Sequence, residues 1–335
     1  MLRIAVLGVG RIGRMHAANI ALHPRAALAG VFDVNDAAAT EIATALGTVK
    51  FASAEEAVAS EAVDALLIAS STATHADFIE MGVAAGKPVL CEKPIDLSLE
   101  RVETCAAKIA GSPVPVMLGF VRRFDTGHRA VKAAIEAGRI GDLHQLAITS
   151  RDPGLAPAAY IEVSGGIFRD MTIHDFDLAR YFLGEEIATV SATGSRLVDP
   201  ALMERCDDYD TVTITMATAG GKQCVITNSR RAVYGYDQRV EAFGSGGMIA
   251  TDNKPLDNTR FSGPGATGQA PALLDFFIER YDDAFAAVIG EFVGAAEAGR
   301  APAVGFEDGR QALILAEAAL LSVREGRTVS ISDIG

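Results

Sequence analysis

Residues 4–13 read Ile4-Ala5-Val6-Leu7-Gly8-Val9-Gly10-Arg11-Ile12-Gly13. The apolar run predicts a buried strand, and the Gly-x-Gly-x-x-Gly turn after it opens a predicted helix. In that setting Gly8 permits a tight turn, Gly10 leaves space for a pyrophosphate beside the helix N-terminus, and Gly13 lets helix and strand pack closely. The turn, with Arg11 and Ile12 inside it, therefore predicts a dinucleotide-binding site in an α/β domain.

Asp33 lies 20 residues after Gly13, at the end of the second predicted strand. A carboxylate there accepts hydrogen bonds from the adenosine ribose of NAD and repels the additional phosphate of NADP. NAD is therefore the expected cofactor. Two alternatives stay open: Arg11 and Arg14 would permit some use of NADP, and Asp33 would cap the following helix if the glycines only made a turn.

Short apolar runs alternate with amphipathic stretches over the first third of the chain. The alternation predicts parallel strands joined by helices, and the nearly continuous apolar character of each run fits a sheet covered on both faces. The predicted strands are Ile4–Gly8, Leu28–Asp33, Val49–Phe51, Val63–Ser70, Pro88–Cys91 and Val116–Phe120. We therefore expect a doubly wound Rossmann domain over residues 1–121.

The pattern changes over residues 122–335, where strands follow one another without intervening helices. Period-2 alternation of apolar and polar residues, clearest in Thr211–Met216, predicts an antiparallel sheet with one face in the core. The predicted strands are 143–150, 187–195, 209–217, 223–231 and 237–243, and the predicted helices are 126–137, 166–183, 273–298 and 306–325. We expect an α+β domain with an open, mostly antiparallel sheet, and a mobile glycine-rich loop at Phe261–Gln269.

Composition narrows the class of protein. The chain has 335 residues, 49% of them hydrophobic, which supports two domains with sizeable cores. Its net charge of −13 repels nucleic acid and anionic membranes, and no run approaches the roughly 20 apolar residues that span a bilayer. The four cysteines match no zinc or redox spacing, so we expect reduced thiols and a cytoplasmic protein.

Two segments contain residues of the kinds that form catalytic sites. Glu92-Lys93-Pro94 follows a buried parallel strand, at the edge where open α/β sheets bind ligands, although an ordinary salt-bridged lysine is the alternative. Asp170, His174 and Asp177 stand at i, i+4 and i+7, so one helical face presents an imidazole between two carboxylates. An exposed histidine with acidic neighbours is the alternative here, and no metal is expected because no third ligand can be located.

Together, the glycine-rich turn, Glu-Lys-Pro and Gly-Gly…Asp-x-x-x-His resemble the Gfo/Idh/MocA family of dinucleotide-dependent sugar and polyol dehydrogenases over essentially the whole chain. The resemblance implies Lys93, Asp170 and His174 as the catalytic set, and a second domain that binds substrate and mediates oligomers, a homotetramer being favoured. The further cofactor contacts that it implies are Ser70, Thr72, His75, Glu92 and Lys93. The implied substrate contacts are Lys93, Arg122, Asp152, Asp170, His174, Asp177 and Tyr236.

Segments 119–125, 170–177 and 234–237 are similar to the inositol-oxidising members of that family. This similarity implies NAD-dependent oxidation of a secondary hydroxyl of a cyclic polyol, with myo-inositol as the expected substrate. Such a reaction needs a base near neutral pH, for which His174 is suited. We expect Asp170 to orient the imidazole or to hold a neighbouring hydroxyl, and Lys93 to stabilise the developing alkoxide.

Three alternatives to this activity stay open. Scyllo-inositol, or an aldose oxidised at C1, would use the same base and lysine. An anionic substrate would be favoured if Arg122, Arg123 and Arg151 lined the pocket. A non-catalytic dinucleotide sensor would keep the glycines and Asp33, but it would have no need for the set Lys93, Asp170 and His174.

Overall fold

A computed structural model describes residues 1–334 of the chain. Packing divides these residues into two compact units, each made of two chain segments. The first unit contains Met1–Phe124 and Asp283–Leu313, and the second contains Asp125–Asp282 and the segment from Ile314 onward. The sequence-based division into 1–121 and 122–335 did not anticipate that Asp283–Leu313 packs with the N-terminal unit.

The strands are, in chain order, β1 Leu2–Leu7, β2 Ala26–Phe32, β3 Ala65–Ile68, β4 Val89–Cys91, β5 Val116–Leu118, β6 Leu143–Arg151, β7 Ile187–Ser195, β8 Thr211–Thr218, β9 Gln223–Ser229, β10 Asp237–Gly244, β11 Gly247–Ala250, β12 Phe261–Gly263, β13 Ala266–Gln269 and β14 Val329–Ser330. The α-helices are α1 Arg11–Leu22, α2 Asp36–Leu46, α3 Ala54–Ala59, α4 His75–Ala84, α5 Leu99–Ile109, α6 Thr126–Glu136, α7 Ala158–Ile161, α8 Ile173–Leu183, α9 Pro200–Arg205, α10 Phe277–Arg280, α11 Asp282–Ala298 and α12 Phe306–Glu325. Short 3-10 turns lie at Thr72–Thr74, Val121–Phe124 and Ile331–Asp333, and a π-helical turn lies at Phe168–Thr172.

The first unit is built on a five-stranded parallel sheet in the order β2-β1-β3-β4-β5. Its central strands are buried on both faces, as their apolar sequences require. The expected Rossmann domain is therefore confirmed. The predicted strand at Val49–Phe51 does not form; this segment makes only one bridge, between Lys50 and Val31, before α3 begins.

The second unit is built on a seven-stranded sheet in the order β11-β10-β6-β9-β8-β7-β14. Every pairing is antiparallel except that of β6 with β9, so the prediction of an open, mostly antiparallel sheet is confirmed. Along β8 the apolar residues Val212, Ile214 and Met216 are buried, while the threonines between them lie on the other face.

The helix predicted over 166–183 has those bounds, although it winds as a π-helix over Phe168–Thr172 before α8. Two other local predictions need correction. The helix predicted from 273 begins only at Phe277. The loop predicted at Phe261–Gln269 is a two-stranded hairpin, β12 paired with β13. Gly265 reverses the chain there with a φ of +79°, which glycine adopts without strain.

Candidate functional site

The glycine-rich turn after β1 has the geometry that its sequence predicts. Gly8 has a φ of +93°, and a Cβ there would come within 2.5 Å of the Ser70 backbone. A Cβ on Gly13 would lie 1.9 Å from the Gly8 carbonyl oxygen, so helix α1 packs directly against the turn. At Gly10, in contrast, a Cβ would meet nothing within 4 Å. This open space beside the N-terminus of a 12-residue helix fits the pyrophosphate of a dinucleotide.

Asp33 connects this turn to the end of β2. Its Oδ2 accepts the N–H of Val9 at 2.7 Å, and its Oδ1 accepts the N–H of Asn35 at 2.8 Å. Helix α2 is capped by Asn35, whose side chain accepts from Ala38, so capping is not the role of Asp33. Two backbone amides therefore fix the carboxylate that we expect to bind the ribose.

Glu92, the first residue after β4, is anchored inside the unit. Its Oε1 lies 2.7 Å from Nε2 of His16, a buried residue of α1. A Cβ on Gly119 would come within 2.8 Å of the Glu92 carboxylate, so a larger residue there would displace the Glu92 side chain. The half-buried Lys93 follows, joined to Pro94 by a cis peptide bond. Burial raises the pKa of the preceding thiol, Cys91, well above its ordinary value, which makes Cys91 a poor nucleophile.

His75 holds two segments at this edge of the sheet. Its Nδ1 lies 2.8 Å from the Pro94 carbonyl and its Nε2 lies 3.1 Å from the Ser70 carbonyl. Burial lowers the pKa of His75, which favours the neutral ring, and a neutral ring donates to only one of these two carbonyls at a time. Nearby, Ser70 Oγ lies 2.7 Å from Thr74 Oγ1, and Thr72 begins the 3-10 turn that precedes α4. That these residues, with Arg11 and Glu92, contact the cofactor stays a prediction.

In the second unit, Asp170 lies in the π-helical turn and His174 in the first turn of α8. Each carboxylate oxygen of Asp170 has a protein partner: Oδ1 accepts the Tyr160 hydroxyl at 2.7 Å, and Oδ2 lies 3.2 Å from Nη1 of Arg230. Burial of the phenol and the charge of Asp170 both raise the pKa of Tyr160, so Tyr160 is a donor at neutral pH.

Sequence reasoning missed Arg230, which follows β9. Its guanidinium is 2% exposed and lies between Asp170 and Asp208, with Nη2 3.3 Å from the Asp208 carboxylate. Burial opposes ionisation of Arg230, but these two carboxylates outweigh burial and raise its pKa further. The available signal was a charged residue at the end of an alternating strand.

The remaining expected substrate contacts lie at different depths. Asp177 is fully buried in α8, and Arg122 is buried in the 3-10 turn after β5. Tyr236 packs edge-on against Tyr281, with ring centroids 6.1 Å apart. The charge of Asp152 raises the pKa of both Tyr160 and Arg230, so Asp152 lies near these two partners of Asp170. Substrate contact by these side chains stays a prediction.

The sheet also determines where α8 begins. The Asn228 side chain, on β9, accepts the Thr172 hydroxyl at 2.6 Å and donates to the Asp175 carboxylate at 2.8 Å. Asn228, Thr172 and Asp175 are all buried. Because Thr172 and Asp175 lie on either side of His174 in the chain, these bonds fix the helical turn that carries the imidazole.

Comparison with known proteins assigns the family. Residues 2–120 match the oxidoreductase family with an NAD-binding Rossmann fold, and residues 128–250 match the GFO/IDH/MocA C-terminal domain. The chain belongs to the GFO/IDH/MocA family of oxidoreductases. The NAD cofactor expected from Asp33 agrees with that family's fold.

Its relatives include proteins named for inositol oxidation. The chain is 48% identical to inositol 2-dehydrogenase of Rhizobium meliloti strain 1021, over 98% of this chain and 99% of that protein. It is similar in structure to a myo-inositol dehydrogenase of Corynebacterium glutamicum, with a TM-score of 0.96 and 46% identity over 98% of each chain. Scyllo-inositol dehydrogenase of Lactobacillus casei, solved with NAD(H) and scyllo-inositol, has a TM-score of 0.91 and 30% identity over 99% of each chain.

Within residues 1–334, no helix is both long and apolar enough to cross a membrane. The same residues contain no group of three or more His, Cys, Asp or Glu side chains arranged to hold a metal ion.

Proposed function

We propose that this protein is an NAD-dependent inositol 2-dehydrogenase, which oxidises a secondary hydroxyl of myo-inositol to give 2-keto-myo-inositol. The observation that carries the proposal is the 48% identity, over nearly the whole of both chains, to the inositol 2-dehydrogenase of Rhizobium meliloti. An uncharged ring rich in hydroxyls also suits a site built from Asp, His, Lys and Tyr side chains. Arginine clusters would suit a phosphorylated substrate better.

The chemistry requires removal of the hydroxyl proton while a hydride leaves the same carbon. NAD, when bound, supplies the hydride acceptor. His174 takes the hydroxyl proton, because imidazole is a competent base near neutral pH. Lys93 stabilises the alkoxide character that develops on the oxygen.

Asp170 serves as a fixed acceptor for a substrate hydroxyl or for the His174 imidazole. Tyr160 and Arg230 each use one of its oxygens. Since each carboxylate oxygen can accept more than one hydrogen bond, capacity remains for a further donor. Asp152, Asp177, Arg122 and Tyr236 complete the proposed set of substrate contacts.

Scyllo-inositol is the second candidate substrate, since a scyllo-inositol dehydrogenase shares the fold at 30% identity. The two isomers differ in the orientation of one hydroxyl. One assay separates the candidates: NADH formation by the purified protein with myo-inositol, scyllo-inositol, other inositol isomers and glucose. We expect the highest kcat/KM with myo-inositol. A higher kcat/KM with another polyol would identify that polyol as the substrate in place of myo-inositol. NADH binding without turnover of any polyol would indicate a sensor.

We propose further that the protein is a cytoplasmic homotetramer. Buried free thiols at Cys91, Cys105 and Cys224 suit a reducing compartment. The outward face of the second unit's sheet has a cavity of about 660 Å³, lined among others by Thr189, Thr215 and Phe243, which offers a surface for an interface between identical copies. Light scattering should give four times the 35.0 kDa of one chain; a monomeric mass would rule the assembly out.

A further inference from the structure

Arg230 combines deep burial with full positive charge, and the proposed chemistry has not used it. The guanidinium contacts two carboxylates, Asp170 and Asp208, that lie 60 and 22 residues away in the chain. Of these, Asp170 belongs to the proposed catalytic set. Within the described residues, the buried Nε of Arg230 has no hydrogen-bond partner, so its contacts are concentrated on the two terminal nitrogens.

We propose that Arg230 is a positioning residue for the dehydrogenase reaction, which fixes the Asp170 carboxylate directly and, through Asp208, the start of the helical segment that carries Asp170 and His174. This inference rests on the function proposed above, because it assumes that Asp170 and His174 act on the substrate.

The direct effect is on the orientation of Asp170. With Tyr160 on Oδ1 and Arg230 on Oδ2, the carboxylate plane is fixed from two sides. Removing Arg230 removes the hydrogen bond to Oδ2 and so weakens the restraint on the Asp170 rotamer. Because a misplaced catalytic group costs rate even when binding is intact, the effect should appear mainly in kcat.

The indirect effect passes through Asp208. Its Oδ1 accepts the Ile167 N–H at 2.8 Å, just before the π-helical turn. A Cβ on Gly166 would lie 2.9 Å from the same oxygen, and Gly166 has a φ of +84°, so this close approach requires glycine. Arg230 holds the other oxygen of Asp208 and thereby connects the start of the helical segment to the end of β9.

Stability alone is a weak reason for such an arrangement. Burying a guanidinium with two carboxylates carries a large desolvation cost, and apolar replacements of buried ion pairs are often neutral or stabilising. A geometric requirement at Asp170 gives the buried charge a function.

The test compares Arg230→Met and Arg230→Lys in two backgrounds, the parent enzyme and Asp170→Asn. In the parent, Arg230→Met should lower kcat with myo-inositol at least about tenfold and change the NADH dissociation constant by less than about twofold. Arg230→Lys should recover part of kcat, since an ammonium can still reach one carboxylate. In Asp170→Asn, Arg230→Met should lower kcat by a clearly smaller factor than in the parent, because the direct effect on Asp170 is already lost and only the effect through Asp208 remains.

Arg196→Met is the matched control. Arg196 donates to the Asp208 backbone carbonyl but not to its carboxylate, so this variant should stay within about threefold of the parent. If Arg230→Met leaves kcat within about threefold of the parent, or lowers it by the same factor in both backgrounds, the proposal is wrong. Where Arg230→Met does not fold, Arg230→Lys decides the same comparison.

Hydrogen exchange gives a measurement that does not depend on the substrate. Exchange at the Ile167 amide should quicken in Arg230→Lys and not in Arg196→Met, because only the first variant alters a contact to the Asp208 carboxylate, which accepts the Ile167 N–H. Unchanged exchange would refute the link through Asp208 even if the parent oxidised no inositol. Failure of the parent to oxidise any inositol would instead count against the proposed function.

Discussion

The carboxylate of Asp33 accepts the backbone N–H of Val9, the residue between the first two glycines of the dinucleotide-binding turn, at 2.7 Å. The side chain stabilises the turn, and we expect the same carboxylate to lie where NAD and NADP differ. A change at Asp33 should alter stability and cofactor preference together.

Asp33→Arg should raise the ratio of kcat/KM for NADP to that for NAD, because it removes the ribose acceptor and adds a phosphate partner. It should also destabilise the protein by about 1–3 kcal/mol, since the Val9 and Asn35 amides lose their acceptor. Glu61→Arg makes the same change in charge at an exposed position and serves as control. Unchanged cofactor preference would place the ribose elsewhere.

Alanine substitutions at two glycines of the turn should have different effects: one should weaken NADH binding and the other should lower the stability of the fold. Gly10→Ala should leave stability within about 0.5 kcal/mol and weaken NADH binding, because its methyl group enters open space kept for the ligand. Gly13→Ala should lower the Tm, since its methyl group would collide with the Gly8 carbonyl. Thermal unfolding and NADH fluorescence titration measure both. Equal loss of stability in the two variants would contradict this division.

His174→Ala should lower kcat with myo-inositol at least about 10²-fold, the usual contribution of a positioned base. NADH affinity should stay near that of the parent. His144→Ala is the control, because His144 is exposed on β6 and packs only edge-on against Phe243 among the rings of the described residues. A parallel loss of NADH binding would make His174 a structural residue.

Lys93→Met should lower kcat more than it raises KM, because it removes charge stabilisation felt mainly in the transition state. Methionine keeps most of the side-chain volume, which limits damage to packing. Lys87→Met, at the opposite end of β4, is the matched control. A kcat within about threefold of the parent corresponds to a change in activation free energy of under roughly 0.7 kcal/mol, and it would identify Lys93 as an ordinary strand-end lysine.

Asp237 should make the free energy of unfolding depend on pH in the acid range. Burial opposes its ionisation, but hydrogen bonds from Arg239, Asn253 and Tyr234 outweigh burial and lower its pKa to about 2. Since the folded pKa lies below the unfolded value of 3.8, this contribution is present above pH 4 and is lost as pH falls toward 2.

The unfolding free energy should therefore decline by roughly 2 kcal/mol over that interval through this group. Asp237→Asn should be less stable than the parent at pH 7, and the difference should shrink as pH falls from 4 to 2. Urea unfolding at several pH values measures it. A constant difference would mean that the carboxylate charge contributes nothing.

Much of the fold follows from local sequence patterns. The Gly-x-Gly-x-x-Gly turn, Asp33 and the alternation of strands and helices predicted the Rossmann sheet, because spacing along the chain determines which side chains share a face. Period-2 alternation predicted the second sheet for the same reason. The positions of Lys93 after a strand and of His174 on a helix were likewise readable.

Other features depend on contacts between distant residues, which no local pattern encodes. The ion pairs of Arg230 join the end of β9 to Asp170 and Asp208. The segment Asp283–Leu313 packs in the same unit as Met1–Phe124, although the residues between them form the second unit. In the π-helical turn before α8, each hydrogen bond joins residues one position further apart than in the predicted α-helix, and the distant Asp208 holds the start of this turn. The sequence by itself determined which sheets form and which groups could react. The tertiary structure decided how Asp170 is held, because a buried charge is stable only beside an opposite charge, and the fold determines which opposite charge lies close enough.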